Sequence, residues 1–349
     1  MEEYKAVIVG LTGIGARRPP EDSNLPVFGA MPVSHASAYH RIPRVEVVGV
    51  CDLREEAINE FKSDWSDVWP KVNGYADFRE MLEKEKPDIV SVATSDHVHA
   101  DITVAAAESG ARAILCEKPI ATTLADADRM IAAAEANNVL LSIDHSRRWY
   151  PLFLMAREVI RKGEIGPLRS IVCEHFGERA MLFRNGTHLL DMICFFAEAE
   201  PEWVVAELEP GFDHFTEYKG DGGKIPETEP SASAYIRFSK GIRAFYNGYK
   251  VKFPASQFIL ICEDGKLEVS DRGAQIIRGS SHLNLDYSPL LPESYMLQQK
   301  GALVAELVHV LEHGGDLVSP GCDARMTLEL LLGILKSHEN GNNRVNFPL

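Results

Sequence analysis

The chain has 349 residues, long enough for about two domains and for a core that needs neither a disulfide nor a metal staple. Hydrophobic residues make up 45% and charged residues 25%, the balance of an ordinary globular protein. A formal charge of −15 excludes the basic footprint that phosphate recognition needs, so neither nucleic acid nor an anionic membrane surface is an expected partner. The six cysteines (Cys51, Cys116, Cys173, Cys194, Cys262 and Cys322) form no CxxC pair, which reads as reduced thiols and not as a disulfide framework or zinc ribbon. The N-terminus runs straight into a buried strand without a signal peptide, and no apolar run approaches the ~18 residues of a membrane span. The expected compartment is the cytoplasm.

In chain order, the apolar run Lys5–Gly10 predicts a buried parallel strand. Further strands are predicted at Val45–Asp52, Asp88–Thr94, Ala113–Cys116 and Val139–Asp144, with helices between them at Arg54–Ser63, Asp77–Glu85, His99–Ser109 and Leu124–Asn137. Alternation of this kind builds βαβ units with right-handed crossovers, hence an N-terminal Rossmann domain with a doubly wound parallel sheet. The texture changes at Tyr150-Pro151. Helices are predicted at Pro151–Lys162 and Asn185–Phe196 and a strand at Leu168–Phe176. Strand-like stretches then follow from Trp203 to Ile277, a long loop at 211–230 among them, and helices return at Tyr295–His313 and Asp323–Ser337. The second part is an α/β domain with an antiparallel or mixed sheet. The expected division is a Rossmann core at 1–122, closed by the helix and strand of 123–150, and a second domain at 151–349.

The first strand ends in Gly10-Leu11-Thr12-Gly13-Ile14-Gly15. Against the G-x-G-x-x-G dinucleotide loop, Gly10 and Gly15 fit, Thr12 replaces the middle glycine and Gly13 supplies slack one residue later. An acid at the end of the second strand grips the ribose hydroxyls about 20 residues beyond such glycines. Asp52 lies 42 residues after Gly10, and 23 once the 19 residues of 16–34 are set aside as an insertion. The helix then resumes near Ser34-His35, with Ser34 as its N-cap. Asp52, with Leu53 and Arg54 beside it, favours NAD over NADP, because a carboxylate repels a 2′-phosphate.

Three motifs follow: Thr94-Ser95-Asp96-His97-Val98-His99, then Glu117-Lys118-Pro119, then Arg147-Arg148-Trp149-Tyr150-Pro151. Together they resemble the Gfo/Idh/MocA family of glucose–fructose oxidoreductase, inositol dehydrogenase and their relatives. The likeness extends to the Glu-Asp-Gly-Lys-Leu-Glu-Val turn at 263–269 and the Arg-Val-Asn-Phe-Pro-Leu ending. It implies a second domain with a large, open, mostly antiparallel sheet that carries the contacts of a homodimer or homotetramer. It also implies that Thr94, Ser95, His97, Glu117, Lys118 and Arg148 lie along the cofactor, with Arg148 reaching the substrate as well. A lysine at that strand end is poorly solvated, which suits Lys118 to proton transfer. His97 and His99 flank Val98 with no third ligand in sight, so no metal site is expected.

The segment Arg184-Asn185-Gly186-Thr187-His188-Leu189-Leu190-Asp191 matches the family's second site element. The resemblance makes His188 the general acid/base, since imidazole titrates near neutrality. Asn185 and Asp191, the latter at i+3 on the same helical face, become substrate contacts. Arg184 stands where the family has an acid. Either Lys118 and His188 relay the proton alone, or Arg184 binds an anionic substrate such as a sugar acid, or redox turnover has been lost. The expected activity is NAD-dependent hydride transfer at a secondary hydroxyl or ketone of a small sugar, glycoside, sugar acid or cyclic polyol. Two alternatives stand beside it: a redox-assisted glycosidase that oxidises, eliminates and regenerates NAD, and a non-catalytic cofactor-binding regulator.

Overall fold

The computed structural model describes residues 3–19, 32–220, 225–281, 283–292 and 297–349. Residues 20–31 of the expected insertion lie outside the described residues, as do 221–224 of the expected loop and the first two residues of the helix expected from Tyr295. The chain divides into two compact units, Met1–Trp149 with Tyr295–Arg325, and Tyr150–Ser294 with Met326–Leu349.

The first unit is built on β1 (Tyr4–Val9), β2 (Val45–Cys51), β3 (Asn73–Tyr75), β4 (Ile89–Val92), β5 (Ala113–Cys116) and β6 (Leu140–Ile143). They pair in the order β3-β2-β1-β4-β5-β6, every pair parallel. Strands β4 and β5 are buried at every position, as a sheet covered on both faces requires. The connecting helices are α1 (Gly13–Ala16), α2 (His35–His40), α3 (Glu55–Asp64), α4 (Phe78–Glu85), α5 (His99–Glu108) and α6 (Leu124–Ala136). The single turn of α1 ends at Ala16, the first residue of the insertion, and α2 begins directly after it, so among the described residues two short helices stand between β1 and β2. The Ser34 side chain caps α2 by accepting from the Ser37 amide, and Ser37 answers by accepting from the Ser34 amide.

The second unit opens with α7 (Pro151–Arg161), whose Pro151 sits in the first turn, where no amide is needed. Then come β7 (Leu168–Phe176), α8 (Gly186–Ala197), β8 (Pro201–Leu208), β9 (Ala232–Phe238), β10 (Arg243–Tyr249) and β11 (Ala255–Cys262). Strands β12 (Lys266–Ser270), β13 (Gly273–Ser281) and β14 (Asn284–Leu290) follow; the chain then forms α9 (Gln299–His313), which belongs to the first unit, α10 (Gly321–Glu339), whose residues from Met326 belong to the second, and β15 (Val345–Asn346). The nine strands run in the order β14-β13-β12-β11-β7-β10-β9-β8-β15, antiparallel except where β10 lies parallel to β7. Strand β10 alternates strictly between buried and exposed residues, so one face of this sheet packs and the other is open.

The two units part from the expected division over 295–325, which takes in α9 and the start of α10. Helix α9, expected in the second domain with the rest of 151–349, belongs to the first unit. Leu303, Val304, Leu307 and Val308 on its apolar face enter the core cluster formed by Ala6, Ile8, Tyr39, Val47 and Trp149.

Candidate functional site

In the first unit the carboxyl ends of the strands are held level by backbone bonds that continue past the ladders. Gly10 N–H donates to Cys51 O (2.8 Å), Ala93 N–H to Val9 O (2.8 Å), Glu117 N–H to Val92 O (2.9 Å) and Asp144 N–H to Cys116 O (2.8 Å). The winding reverses between β1 and β4, which is where an open α/β sheet leaves its ligand crevice.

The glycine loop sits at that reversal. Gly10 has φ +94°, and a Cβ there would stand 2.5 Å from Ala93 O. A Cβ on Gly15 would stand 2.1 Å from Gly10 O, so both positions are closed to any side chain. A Cβ on Gly13 would meet only the flexible Arg17 guanidinium, at 3.0 Å. Thr12 is the N-cap of α1 with no side-chain cap bond, and Thr12, Gly13 and Ile14 are exposed. Asp52 reaches across to the loop, its Oδ2 accepting from Leu11 N–H (2.9 Å) and its Oδ1 from Arg54 N–H (3.0 Å). Burial alone would raise its pKa; the hydrogen bonds from the Arg54 and Leu11 amides and from the Arg54 side chain outweigh that and hold it low. Leu53 is exposed, at 93%.

Past β4, the Thr94 hydroxyl is buried with no hydrogen-bond partner among the described residues. Ser95 is half-buried and His97 exposed. His99 is fully buried, with Nδ1 3.1 Å from Pro119 O and Nε2 3.3 Å from Thr94 O. It braces the loops that carry Thr94 and Lys118. Lys118 follows β5, half-buried, ahead of a cis bond to Pro119.

Arg148 corrects an expectation. Its side chain does not lie open to a cofactor or substrate. It is 1% exposed, and Nη1 donates to Val318 O (2.7 Å) and Asp323 Oδ2 (2.6 Å). A guanidinium buried to this extent needs such partners, and here it ties the segment before Tyr150 to the chain around α10. Trp149 is likewise buried, its Nε1–H donating to Glu306 Oε2 (3.1 Å).

Sequence reasoning missed a buried ionic cluster beside Lys118. Glu117 Oε1 accepts from Lys300 Nζ (2.8 Å) and lies 3.2 Å from His35 Nε2, while Lys300 also binds Asp144. Burial would push Glu117 up, but Lys300, His35 and Lys118 outweigh it and hold the carboxyl well below its ordinary range. Burial depresses His35. His35, Glu117 and Asp144 present ligand atoms within 4.8 Å of one another, the spacing of a metal's donor set, and the Lys300 ammonium is the cation among them. One signal was available: Lys300 precedes Leu303, Val304 and Leu307 at helical spacing, which places a lysine on the apolar face of α9.

The other predicted residues belong to the second unit. Arg184 and Asn185 are half-buried ahead of α8. Glu229 Oε1 accepts from the amides of Phe183 and Arg184, and Gly186 and Asn185 both donate to Met181 O, which fixes the turn. A Cβ on Gly186 would fall 2.5 Å from the Tyr246 hydroxyl, so a side chain here would have to displace that buried tyrosine. Every residue of α8 except His188 is buried. Asp191, expected to touch substrate, is fully buried and accepts from Thr327 Oγ1 at 3.3 Å, so its carboxylate is directed into the unit.

A parallel sheet in the order 3-2-1-4-5-6, with a glycine loop at its switch point and an acid at the end of β2, defines a dinucleotide-binding Rossmann protein. Residues 27–145 match the family described as an oxidoreductase family with an NAD-binding Rossmann fold. That family is Gfo/Idh/MocA, and the similarity to its model is confined to residues 27–145 of this chain. It is 34% identical over 177 residues to a D-apiose dehydrogenase of Paraburkholderia graminis, covering 46% of each chain. It is 29% identical over 137 residues to the inositol 2-dehydrogenase of Salmonella typhimurium, covering 38% of each. The matched region thus spans less than half the length of these two relatives. Among solved structures, the WlbA dehydrogenase of Bordetella pertussis, in complex with NADH and UDP-GlcNAcA, has the same fold. Its TM-score is 0.74 at 17% identity, covering 100% of both chains. Among the described residues no helix is long and apolar enough to cross a membrane.

Proposed function

We propose that this protein oxidises or reduces a secondary hydroxyl or ketone of a sugar, glycoside, sugar acid or cyclic polyol, with NAD as its coenzyme. The observation that carries the proposal is the placement of Lys118 at the end of β5, in the same sheet whose switch point holds a glycine loop closed to side chains at Gly10 and Gly15. Backbone that must approach a pyrophosphate closely has this form, and the unpartnered Thr94 hydroxyl offers the cofactor a hydrogen bond. The ionised Asp52 carboxylate supports NAD over NADP. When bound, the nicotinamide takes or returns the hydride.

Lys118 is the group that holds the substrate hydroxyl and moves its proton. His188, the one residue of α8 not buried, serves as acid/base, and Arg184 and Asn185 contact substrate. A half-buried arginine at that position supports acidic sugars as substrates. The sugars and polyols of the relatives and the sugar acid of the solved complex support the same class. The open sheet face exposes Phe245 and Tyr249, an apolar surface that supports assembly with further copies of the chain as a homodimer or homotetramer. The free cysteines support a cytoplasmic location.

The test is NADH absorbance with NAD and a panel of sugars, uronic acids, glycosides and inositols, each mixture also weighed for products. A substrate-dependent rise is expected, strongest for an acid. Cleaved glycoside without NADH would replace the dehydrogenase by a redox-assisted glycosidase. Cofactor binding with no product would leave a regulator.

A further inference from the structure

Glu117 is adjacent in sequence to Lys118 and also bonded to it. Its Oε2 accepts from the Lys118 backbone N–H at 3.3 Å, while its Oε1 is held by Lys300 Nζ at 2.8 Å and His35 Nε2 at 3.2 Å. A carboxylate only accepts, so the hydrogen-bond network assigns the His35 proton to Nε2. His35 Nδ1 then accepts from Ser91 Oγ (2.9 Å), which in turn accepts from the Tyr39 hydroxyl (2.6 Å). The second carboxylate, Asp144, binds the same ammonium and lies 3.8 Å from His35 Nε2. Lys300 is therefore, among the described residues, the cation that two buried anions share, and the burial of Leu303, Val304 and Leu307 on its own helix fixes where it stands.

We propose that Lys300 is a positioning residue for Lys118, its ammonium bridging Glu117 and Asp144 so that the other Glu117 oxygen clamps the Lys118 amide. Without that ammonium two buried like charges face each other, and the Glu117 side chain loses its strongest restraint. Helix α9 thereby acts on the end of β5 from 183 residues further along the chain. The inference rests on reading Lys118 as the group that moves the proton.

Site-resolved amide hydrogen exchange of the full chain, by NMR, tests it in Lys300→Met and Lys300→Arg. In Lys300→Met the Lys118 amide is expected to exchange about tenfold faster, the effect of losing one charge-assisted hydrogen bond, while Leu115 and Cys116 on β5 keep their rates. Lys300→Arg, which keeps the charge, restores slow exchange. An unchanged Lys118 amide in Lys300→Met, or equal acceleration along all of β5, overturns the proposal. If Lys300→Met does not fold, the double variant with Asp144→Asn removes the like-charge pair and is held to the same two outcomes. The reading of Lys118 itself is tested apart from this: full turnover in Lys118→Ala would remove it and leave the exchange result standing.

Discussion

The Leu11 amide donates to the Asp52 carboxylate across 2.9 Å, so the residue that ends β2 also shapes the loop that ends β1. The same carboxylate accepts from the Arg54 amide and side chain, which leaves it ionised and fixed beside the exposed Thr12–Ile14 turn. Replacing Asp52 by Ala removes both the charge and the restraint on the loop. NADH affinity is expected to fall about tenfold, the worth of one charge-assisted hydrogen bond. Asp52→Asn keeps an acceptor for Leu11 and is expected to bind NADH nearly as well while discriminating less against NADPH. Fluorescence titration with both cofactors measures this; unchanged discrimination in Asp52→Asn would remove Asp52 as the selector.

Gly15 and Gly13 differ only in what surrounds them. Gly15→Ala drives a methyl to 2.1 Å from Gly10 O, backbone that cannot yield, whereas Gly13→Ala meets the movable end of Arg17. The first is expected to cost about 1–3 kcal/mol of stability and to abolish measurable NADH binding; the second is expected to leave both nearly intact. Denaturant melts and NADH titration of the two variants settle the comparison. Equal behaviour would show that the loop does not need its glycines for space.

The parts of the fold written in local pattern were legible in the sequence. Ala113–Cys116 was recognisable because a strand buried on both faces reads as a continuous apolar run, Val45–Cys51 because Glu46 alone interrupts its apolar residues, and Ser34 because a cap is local chemistry. Asn73–Tyr75 was missed: a three-residue edge strand carries no period to detect. So was Asn284–Leu290, whose mostly exposed residues give no apolar signal. The cluster around Glu117 was invisible for a different reason, since Lys300, Asp144 and His35 meet only after the sheet and α9 have assembled. Arg148 was misjudged because a motif gives the residue type but not the partners, and Val318 and Asp323 lie about half the chain away.

The ion pair of Glu117 with Lys300 gives stability a definite pH dependence. The folded carboxyl titrates well below its ordinary value of 4.5, so its contribution is fully present above that value and is lost as pH falls through the lower folded one. Glu117→Gln leaves Lys300 paired with Asp144, so the loss is that of a charge-assisted hydrogen bond, about 1.5–3 kcal/mol at neutral pH. The gap between wild type and variant is expected to hold from pH 7 to 5 and to narrow below 4.5. Guanidinium unfolding across that range measures it; a gap that persists at low pH would mean the loss is packing and not charge.

His35 adds a second window of the same sign. Burial lowers its folded value below the ordinary 6.5, so the unfolded chain takes up the proton first. Stability should therefore decline as pH falls below 6.5 and level off once the folded imidazole also titrates. His35→Gln removes that slope, whatever it costs at pH 7. An identical slope in the variant would assign the proton uptake elsewhere.

His188 offers the sharpest test of catalysis in the second unit, because it is the only residue of α8 that is not buried. Its neighbours on the helix hold the fold, so His188→Asn should change stability by less than about 1 kcal/mol. If the imidazole moves the substrate proton, turnover should fall about 10²-fold with NADH affinity unchanged. A matching loss is expected in Lys118→Ala, and the two together should lose less than the sum of their effects if both serve one proton transfer. Losses that simply add would assign the two side chains to separate steps. Full activity in His188→Asn would leave Lys118 as the only acid/base group of the proposal.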